Sequence, residues 1–175
     1  MWATAPSDHD GMVIQDGLLV GDTDSGSFVP CFDPAAEPAA YWLRCFLQCP
    51  SSVSDSSEFQ YGPYDAASGE PVALTIDAAF PPSAGQVTVS VSYGDGLNQW
   101  NVPWLVSETH SISVSVDAVG NVATVLFDGA VLGTVTRTMA VGTWTGAVVA
   151  YYTPGNPQPA DGGFARLEAG LHALV

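Results

Sequence analysis

The chain has 175 residues, with 18 acidic residues against three arginines (Arg44, Arg137, Arg166), no lysine and a formal net charge of −15. That balance repels phosphate, and three scattered arginines cannot make the basic stripe that nucleic acid or an anionic membrane would require. At this length one domain buries roughly 70% of its extended surface, so a stable core does not depend on disulfides.

Residues 1–11 read as a flexible N-terminal arm, and residues 12–175 as one β-sandwich domain. The opening MWATAPSDHDGM lacks a basic segment followed by an apolar one, and no apolar run reaches the ~18 residues that span a bilayer. Read as a complete chain, it is expected neither to cross a membrane nor to be exported through a signal peptide. A chain trimmed of its leader would read the same way.

Met12 to Val20 forms a first strand around the Asp16-Gly17 turn signal, and Gly21 to Pro38 reads as a loop. Ala40 to Cys49 is a strand with Tyr41, Leu43, Cys45, Leu47 and Cys49 on one face. Its other face carries Trp42, Arg44, Phe46 and Gln48, so both sides are expected to be partly covered. Pro50 to Ser57 is a polar loop, and Glu58 to Tyr61 a short strand. Pro71 to Phe80, Gln86 to Tyr93 and Gln99 to Val106 follow as strands, separated by the PPSAG and GDG turns.

Ser111 to Thr136 is the clearest stretch. Ile112, Val114 and Val116 alternate with Ser111, Ser113 and Ser115, the period-two pattern of a half-buried strand. Asp117 to Asn121 supplies a turn in which Gly120 is available for positive φ. Val122 to Phe127 then ends at Asp128-Gly129, the pair preferred by a type I′ hairpin, and the chain returns through Ala130 to Thr136. Gly146 to Tyr152 continues the series, residues 153–163 form a Pro/Gly loop, and Gly163 to Leu174 is the last strand. About ten short strands with turn signals between them predict an all-β, antiparallel two-sheet β-sandwich.

The cysteines Cys31, Cys45 and Cys49 form an odd set, so at least one is free or pairs between chains. In an extended strand the Cα atoms of Cys45 and Cys49 sit about 13 Å apart, beyond the ~7 Å that a disulfide spans. They are expected to be buried, unbridged thiols.

HSISVSVDAVGNVATVLFDGAVLGTV resembles the core hairpins of the concanavalin A-like, laminin-G-type jelly rolls, as found in tailed-virus structural proteins. His110, Ile112, Val114, Val116, Leu126, Phe127, Asp128 and Gly129 carry the likeness, which runs from about Ser83 to Leu171. The closing GGFARLEAGL is similar to that family's last strand. The resemblance implies a jelly roll.

Glycosidases of this fold place paired carboxylates at alternate positions of one strand, and the five glutamates here (Glu37, Glu58, Glu70, Glu108, Glu168) are scattered. His9, His110 and His172 show no Ser-His-Asp or HExxH spacing. No catalytic residue is assigned, and the chain is read as a non-enzyme. Asp22 and Asp24 open a stretch similar to an oxygen-rich Ca²⁺ loop, and laminin-G-type domains carry Ca²⁺ on acidic loops; no other cofactor is implied. A self-bonded turn is the alternative for Asp22 and Asp24.

Trp100 and Trp104 flank Asn101, and Tyr93, Tyr151 and Tyr152 lie on neighbouring predicted strands. Flat aromatics beside an amide suit the apolar face and hydroxyls of a sugar; core packing is the competing explanation. The leading expectation is a non-enzymatic virion component of a tailed virus (capsid decoration, tail or host-contact protein), present in repeated copies and bound to other virion proteins or a host-surface glycan. It would assemble in the host cytoplasm. The alternatives are a secreted lectin-like carbohydrate-binding module and an atypical carbohydrate-active enzyme. The acidic bias is consistent with codon usage, solubility or high-salt adaptation.

Overall fold

A computed structural model describes residues 7–15, 18–30, 37–49, 57–63, 74–80, 85–105, 107–139, 147–153 and 162–171. Side chains are described for residue 18, for 37–49, 59–63, 76 and 78, and for 85–105, 107–139 and 162–171. The elements are β1 (Ser7–Gln15), β2 (Leu18–Pro30), β3 (Ala40–Gln48), β4 (Ser57–Pro63), β5 (Leu74–Phe80) and β6 (Gly85–Tyr93). They continue as β7 (Gly96–Trp104), β8 (Thr109–Asp117), β9 (Val122–Phe127), β10 (Ala130–Thr136), β11 (Ala147–Thr153) and β12 (Gly163–Gly170). Every pairing is antiparallel.

The ladder runs β10-β9-β8-β3-β12-β2-β11-β4-β5-β6-β7, with β1 added on β2. It is hydrogen-bonded throughout, and β2 carries it from one layer of the sandwich to the other. Leu19 of β2 pairs with Phe164 of β12, whereas Ser25 to Pro30 pair with β11. Between these segments the β1–β2 register shifts, from Met12 opposite Gly21 to Asp10 opposite Gly26. An irregularity of this kind lets a strand bend and change layers. The Gly21 to Pro38 loop expectation therefore fails as far as Pro30. Backbone pairing on both edges holds a Gly/Ser-rich segment extended where its side chains show no strand pattern. The boundary expected after Gly11 falls inside β1.

The two ends of the ladder meet through side chains. Asn98 Nδ2 of β7 donates to the Thr134 carbonyl of β10 at 2.6 Å. A Cβ at Gly96 would collide with the carbonyl oxygen of Thr136, and one at Gly133 would lie 3.1 Å from the Trp100 indole. Beside this seam the Asp95 carboxylate accepts hydrogen bonds from the Thr138 and Met139 amides, at 2.7 and 3.1 Å, and from the Thr138 hydroxyl.

The core lies between the layers. Tyr41, Leu43, Cys45, Leu47 and Cys49 alternate inward from β3, and Ile112, Val114 and Val116 from β8. They face Phe59 and Tyr61 of β4, Ile76 of β5, and Val87, Val89, Val91 and Tyr93 of β6. Cys45 and Cys49 are free and buried, as their spacing predicts; Cys31 lies outside the described residues. Ser113, on the polar face of β8, is buried as well. Arg44 lies across it and donates from Nε to its hydroxyl at 2.9 Å.

The β8–β10 meander forms as read. Asp128 (φ 48°) and Gly129 (φ 81°) take the two left-handed positions of a type I′ turn. The preceding turn differs in one respect: Asn121 holds the positive φ, at 57°. Gly120 serves close approach instead, since a Cβ there would lie 2.6 Å from an Asp117 carboxylate oxygen. That carboxylate caps the turn through the amides of Val119 and Gly120, at 3.1 and 2.9 Å.

Candidate functional site

Of the residues expected to form an aromatic binding cluster, those with described side chains, Tyr93, Trp100, Asn101 and Trp104, do not share one surface. Trp104 is 1% exposed; it donates from Nε1 to the Glu108 carbonyl at 3.1 Å and packs edge-on against His110 and Phe127. It belongs to the core because β7 turns its last residues, Val102 and Trp104, inward. Trp100 is half-buried against the core and Gly133, closing the β7–β10 seam. Asn101 points the opposite way, to solvent, and its Oδ1 accepts from Thr88 Oγ1 at 3.0 Å. Tyr93 is fully buried. Tyr151 is in register with Gln60 and Gly26, and Tyr152 with Phe59 and Ser25; their side chains lie outside the described set. Asp22 and Asp24 fall within the irregular middle of β2, and their carboxylates are likewise outside it. Among the described residues, no group of three or more His, Cys, Asp and Glu side chains could hold a metal ion.

A different surface gathers chemistry on the outer face of β3. Alternation sends Trp42, Arg44 and Phe46 away from the core. On one side β8 supplies Ser115, Ser113 and Ser111 in register with them. On the other side β12 pairs Gly170 with Trp42, Glu168 with Arg44, and Arg166 with Phe46.

That last pairing depends on an irregularity between Phe164 and Arg166. Phe164 pairs with Leu47 and is buried, and two residues later Arg166 pairs with Phe46. In a regular strand, residues 164 and 166 would share a face; the shift sends Phe164 into the core and Arg166 to the surface.

The face is an interleaved ladder of rings and guanidinium groups. The Arg44 guanidinium carbon lies 5.6 Å from the Trp42 ring centroid and 6.0 Å from that of Phe46. Arg166 lies 5.6 Å from the Phe46 centroid on its own account. Glu168 bridges both arginines, at 3.5 Å from Arg44 Nη1 and in close contact with Arg166 Nη2. The Trp42 indole lies against Gly170, where an added Cβ would sit 2.5 Å from Nε1. Arg166 is 67% exposed, and Arg44 and Glu168 are 29% and 17% exposed. The signal was present in the Trp42-x-Arg44-x-Phe46 alternation. The β12 partners were beyond sequence reasoning, because they depend on a long-range register.

Two further polar clusters sit at the ends of the sandwich. Arg137 and Glu37 form a buried pair, 7% and 9% exposed, with Nη1 2.6 Å from Oε2. Tyr41 and Tyr93 each donate to Glu37 Oε1 at 3.0 Å, Arg137 Nε donates to Asn121 Oδ1 at 3.0 Å, and the guanidinium lies 4.4 Å from the Tyr93 ring centroid. Burial, then the Glu37 charge, pushes both tyrosine hydroxyls well above their ordinary range, so they stay protonated and donate. At the other cluster His110 is held between carboxylates, with Nδ1 2.5 Å from Asp128 Oδ2 and Nε2 3.1 Å from Glu108 Oε2. Partial burial opposes protonation there, but the hydrogen bonds and charges of Asp128 and Glu108 outweigh it and raise the His110 pKa.

No protein-family model matches the sequence, and no curated protein matches it. Solved structures match the fold. The carbohydrate-binding module CBM66 from Bacillus subtilis is 8% identical with a TM-score of 0.56, over 94% of this chain and 96% of that one. The CBM2 module of the evolved Dit of Lactobacillus casei BL23 phage J-1 is 11% identical with a TM-score of 0.55, over 90% and 76%. A native glycosidic hydrolase is 13% identical with a TM-score of 0.55, over 91% and 77%. The chain is thus similar to jelly-roll β-sandwiches that include carbohydrate-binding modules.

Proposed function

We propose that this chain is a non-catalytic glycan-binding module and that the outer face of β3, with its β12 and β8 neighbours, receives the sugar. The observation that carries the reading is the Trp42–Arg44–Phe46–Arg166 ladder. Rings offer flat apolar area to the C–H face of a pyranose, guanidinium groups and the flanking Ser111 and Ser115 offer hydrogen bonds to its hydroxyls, and Glu168 and the buried Ser113 hold Arg44 in place. The fold neighbours named as carbohydrate-binding modules support the reading at the level of fold, which by itself assigns no ligand. Glu168, the one carboxylate in this ladder, is engaged by two arginines. A glycosidase needs a second carboxylate across the scissile bond, so binding is favoured over hydrolysis here.

A virion setting is the second part of the proposal. The likeness to the phage Dit module and the lysine-free, Ser/Thr/Gly-rich composition support a host-contact role in a tailed virus, displayed in repeated copies. Repetition would let weak single sites add up to firm attachment. A secreted lectin-like module would use the same face in the same way.

A glycan array probed with the intact chain and with Trp42→Ala tests the binding reading. Loss of an interface tryptophan costs about 2 kcal/mol, roughly thirtyfold in affinity. Unchanged binding by Trp42→Ala removes the site, and an array with no signal removes the function. Mass spectrometry of purified virions from the source tests the setting, and absence of the chain would end it.

A further inference from the structure

We infer that this face selects acidic sugars, carboxylate-bearing residues of the uronic acid type, over neutral ones; the inference rests on the glycan-binding reading above. The first observation is where the positive charge sits. The chain has three arginines and no lysine against 18 acidic residues. Arg137 is enclosed with Glu37 at the end of the sandwich. The other two, Arg44 and Arg166, flank one ring, Phe46, on the same face. Glu168 offsets one of their two charges, so the ladder keeps a net positive charge on a chain whose total is −15. Guanidinium N–H groups serve neutral hydroxyls too, but the net charge gathered here adds an attraction that only an anionic sugar receives.

The second observation is the donor inventory. Arg44 uses Nε on Ser113 and Nη1 on Glu168, and Arg166 uses Nη2 on Glu168. Among the described residues, nothing engages Nη2 of Arg44 or Nε and Nη1 of Arg166. The free Nη2 of Arg44 and the free Nε and Nη1 of Arg166 are separate N–H donors on cations, and a carboxylate oxygen accepts charge-assisted hydrogen bonds from them about twice as strong as those a neutral sugar hydroxyl makes. Stacking on Trp42 and Phe46 fixes the planes of these groups beforehand, so less freedom is lost on binding. Trp42 to Phe46 spans ~13 Å of extended strand, a length suited to a short oligosaccharide.

The test compares tetragalacturonic acid with its methyl ester, which keeps the sugar and removes the charge, by titration calorimetry on the intact chain. The acid should bind about tenfold tighter or more, the worth of a charge-assisted pair. Arg166→Ala, at an exposed position, should collapse the acid-to-ester ratio. Arg44→Lys, which keeps the charge but removes the planar fork, should also reduce it. Equal affinity for acid and ester, or a ratio unchanged in Arg166→Ala, overturns the acidic class and leaves the glycan reading standing. Self-association of the chain through this face, abolished by Arg166→Ala without saccharide binding, overturns both. Should Arg44→Lys fail to fold, as judged by its melting curve, the Arg166→Ala result decides alone.

Discussion

Replacing Arg137 by methionine probes the polar network that ties the approach to β3, the β8–β9 turn and the chain after β10 to the end of β6. The substitution keeps much of the side-chain volume but leaves the Glu37 carboxylate, 9% exposed, without its cation. Breaking a buried ion pair from one side costs about 3–5 kcal/mol. The hydroxyls of Tyr41 and Tyr93, both 3.0 Å away, still donate to Glu37 and hold the cost toward the lower end. Loss of the stacking on Tyr93 and of the hydrogen bond to Asn121 adds on the order of 1–2 kcal/mol. The expected total is about 4 kcal/mol, and at roughly 2–4 °C per kcal/mol for a domain of this size the melting temperature falls by about 8–16 °C. Urea unfolding followed by tryptophan fluorescence measures the free energy directly. Glu37→Gln and the double variant complete a cycle, and the double variant should cost less than the sum of the singles by at least ~1 kcal/mol. A cost below ~1 kcal/mol for Arg137→Met, or strict additivity, would refute the network as a unit.

Gly96→Ala should destabilise by about 1–3 kcal/mol, since its methyl meets the Thr136 carbonyl at the seam; a melting temperature equal to the parent's would show that the two ends of the ladder do not close. His110 has a raised pKa in the folded chain, so its contribution is fully present below the ordinary value near 6.5 and is lost as pH rises through the folded value. The lowered pKa values of Asp128 and Glu108 make theirs present above the ordinary carboxylate range and lost as pH falls. Thermal stability should therefore peak in mildly acidic buffer, and His110→Gln should flatten the decline on the alkaline side; an unchanged profile would count against the cluster. Burial pushes the Cys45 thiol up to about 12, so it should resist alkylation in the native state at pH 8 and react after denaturation, as intact-mass measurement would reveal. With a net charge of −15, raising NaCl shortens the screening length from ~10 Å at 0.1 M to ~3 Å at 1 M, and the melting temperature should rise. A flat curve would mean that the acids are already compensated locally.

Much of the fold was legible because its signals are local. The Ile112, Val114, Val116 alternation and the Asp128-Gly129 turn need only neighbouring residues to act, and both stand where the pattern put them. Leu43, Leu47, Val89 and Val91 are buried for the same reason. The start of β2 was read as strand, but its continuation from Gly21 to Pro30 was not legible, since its extended form comes from pairing on two edges and not from its side chains. The site was legible in half. The outward Trp42, Arg44 and Phe46 follow from alternation, but an aromatic near a turn carries no mark of whether it faces solvent, and so Trp104 was weighed as a platform when it is core.

By itself, the sequence determined the all-β class, the antiparallel meander, the two-faced character of Ala40–Gln48 and the unbridged state of Cys45 and Cys49, because period-two patterning, turn chemistry and strand geometry act over a few residues. The tertiary structure decided which strands lie side by side. A single register shift in β12 places Arg166 beside Phe46 while Phe164 enters the core, and it thereby assembles a ladder from residues more than a hundred positions apart. Pairing of that kind is chosen by the packing energy of the whole core, in which a one-residue slip exchanges buried and exposed faces along an entire strand, and no local stretch of sequence records that balance.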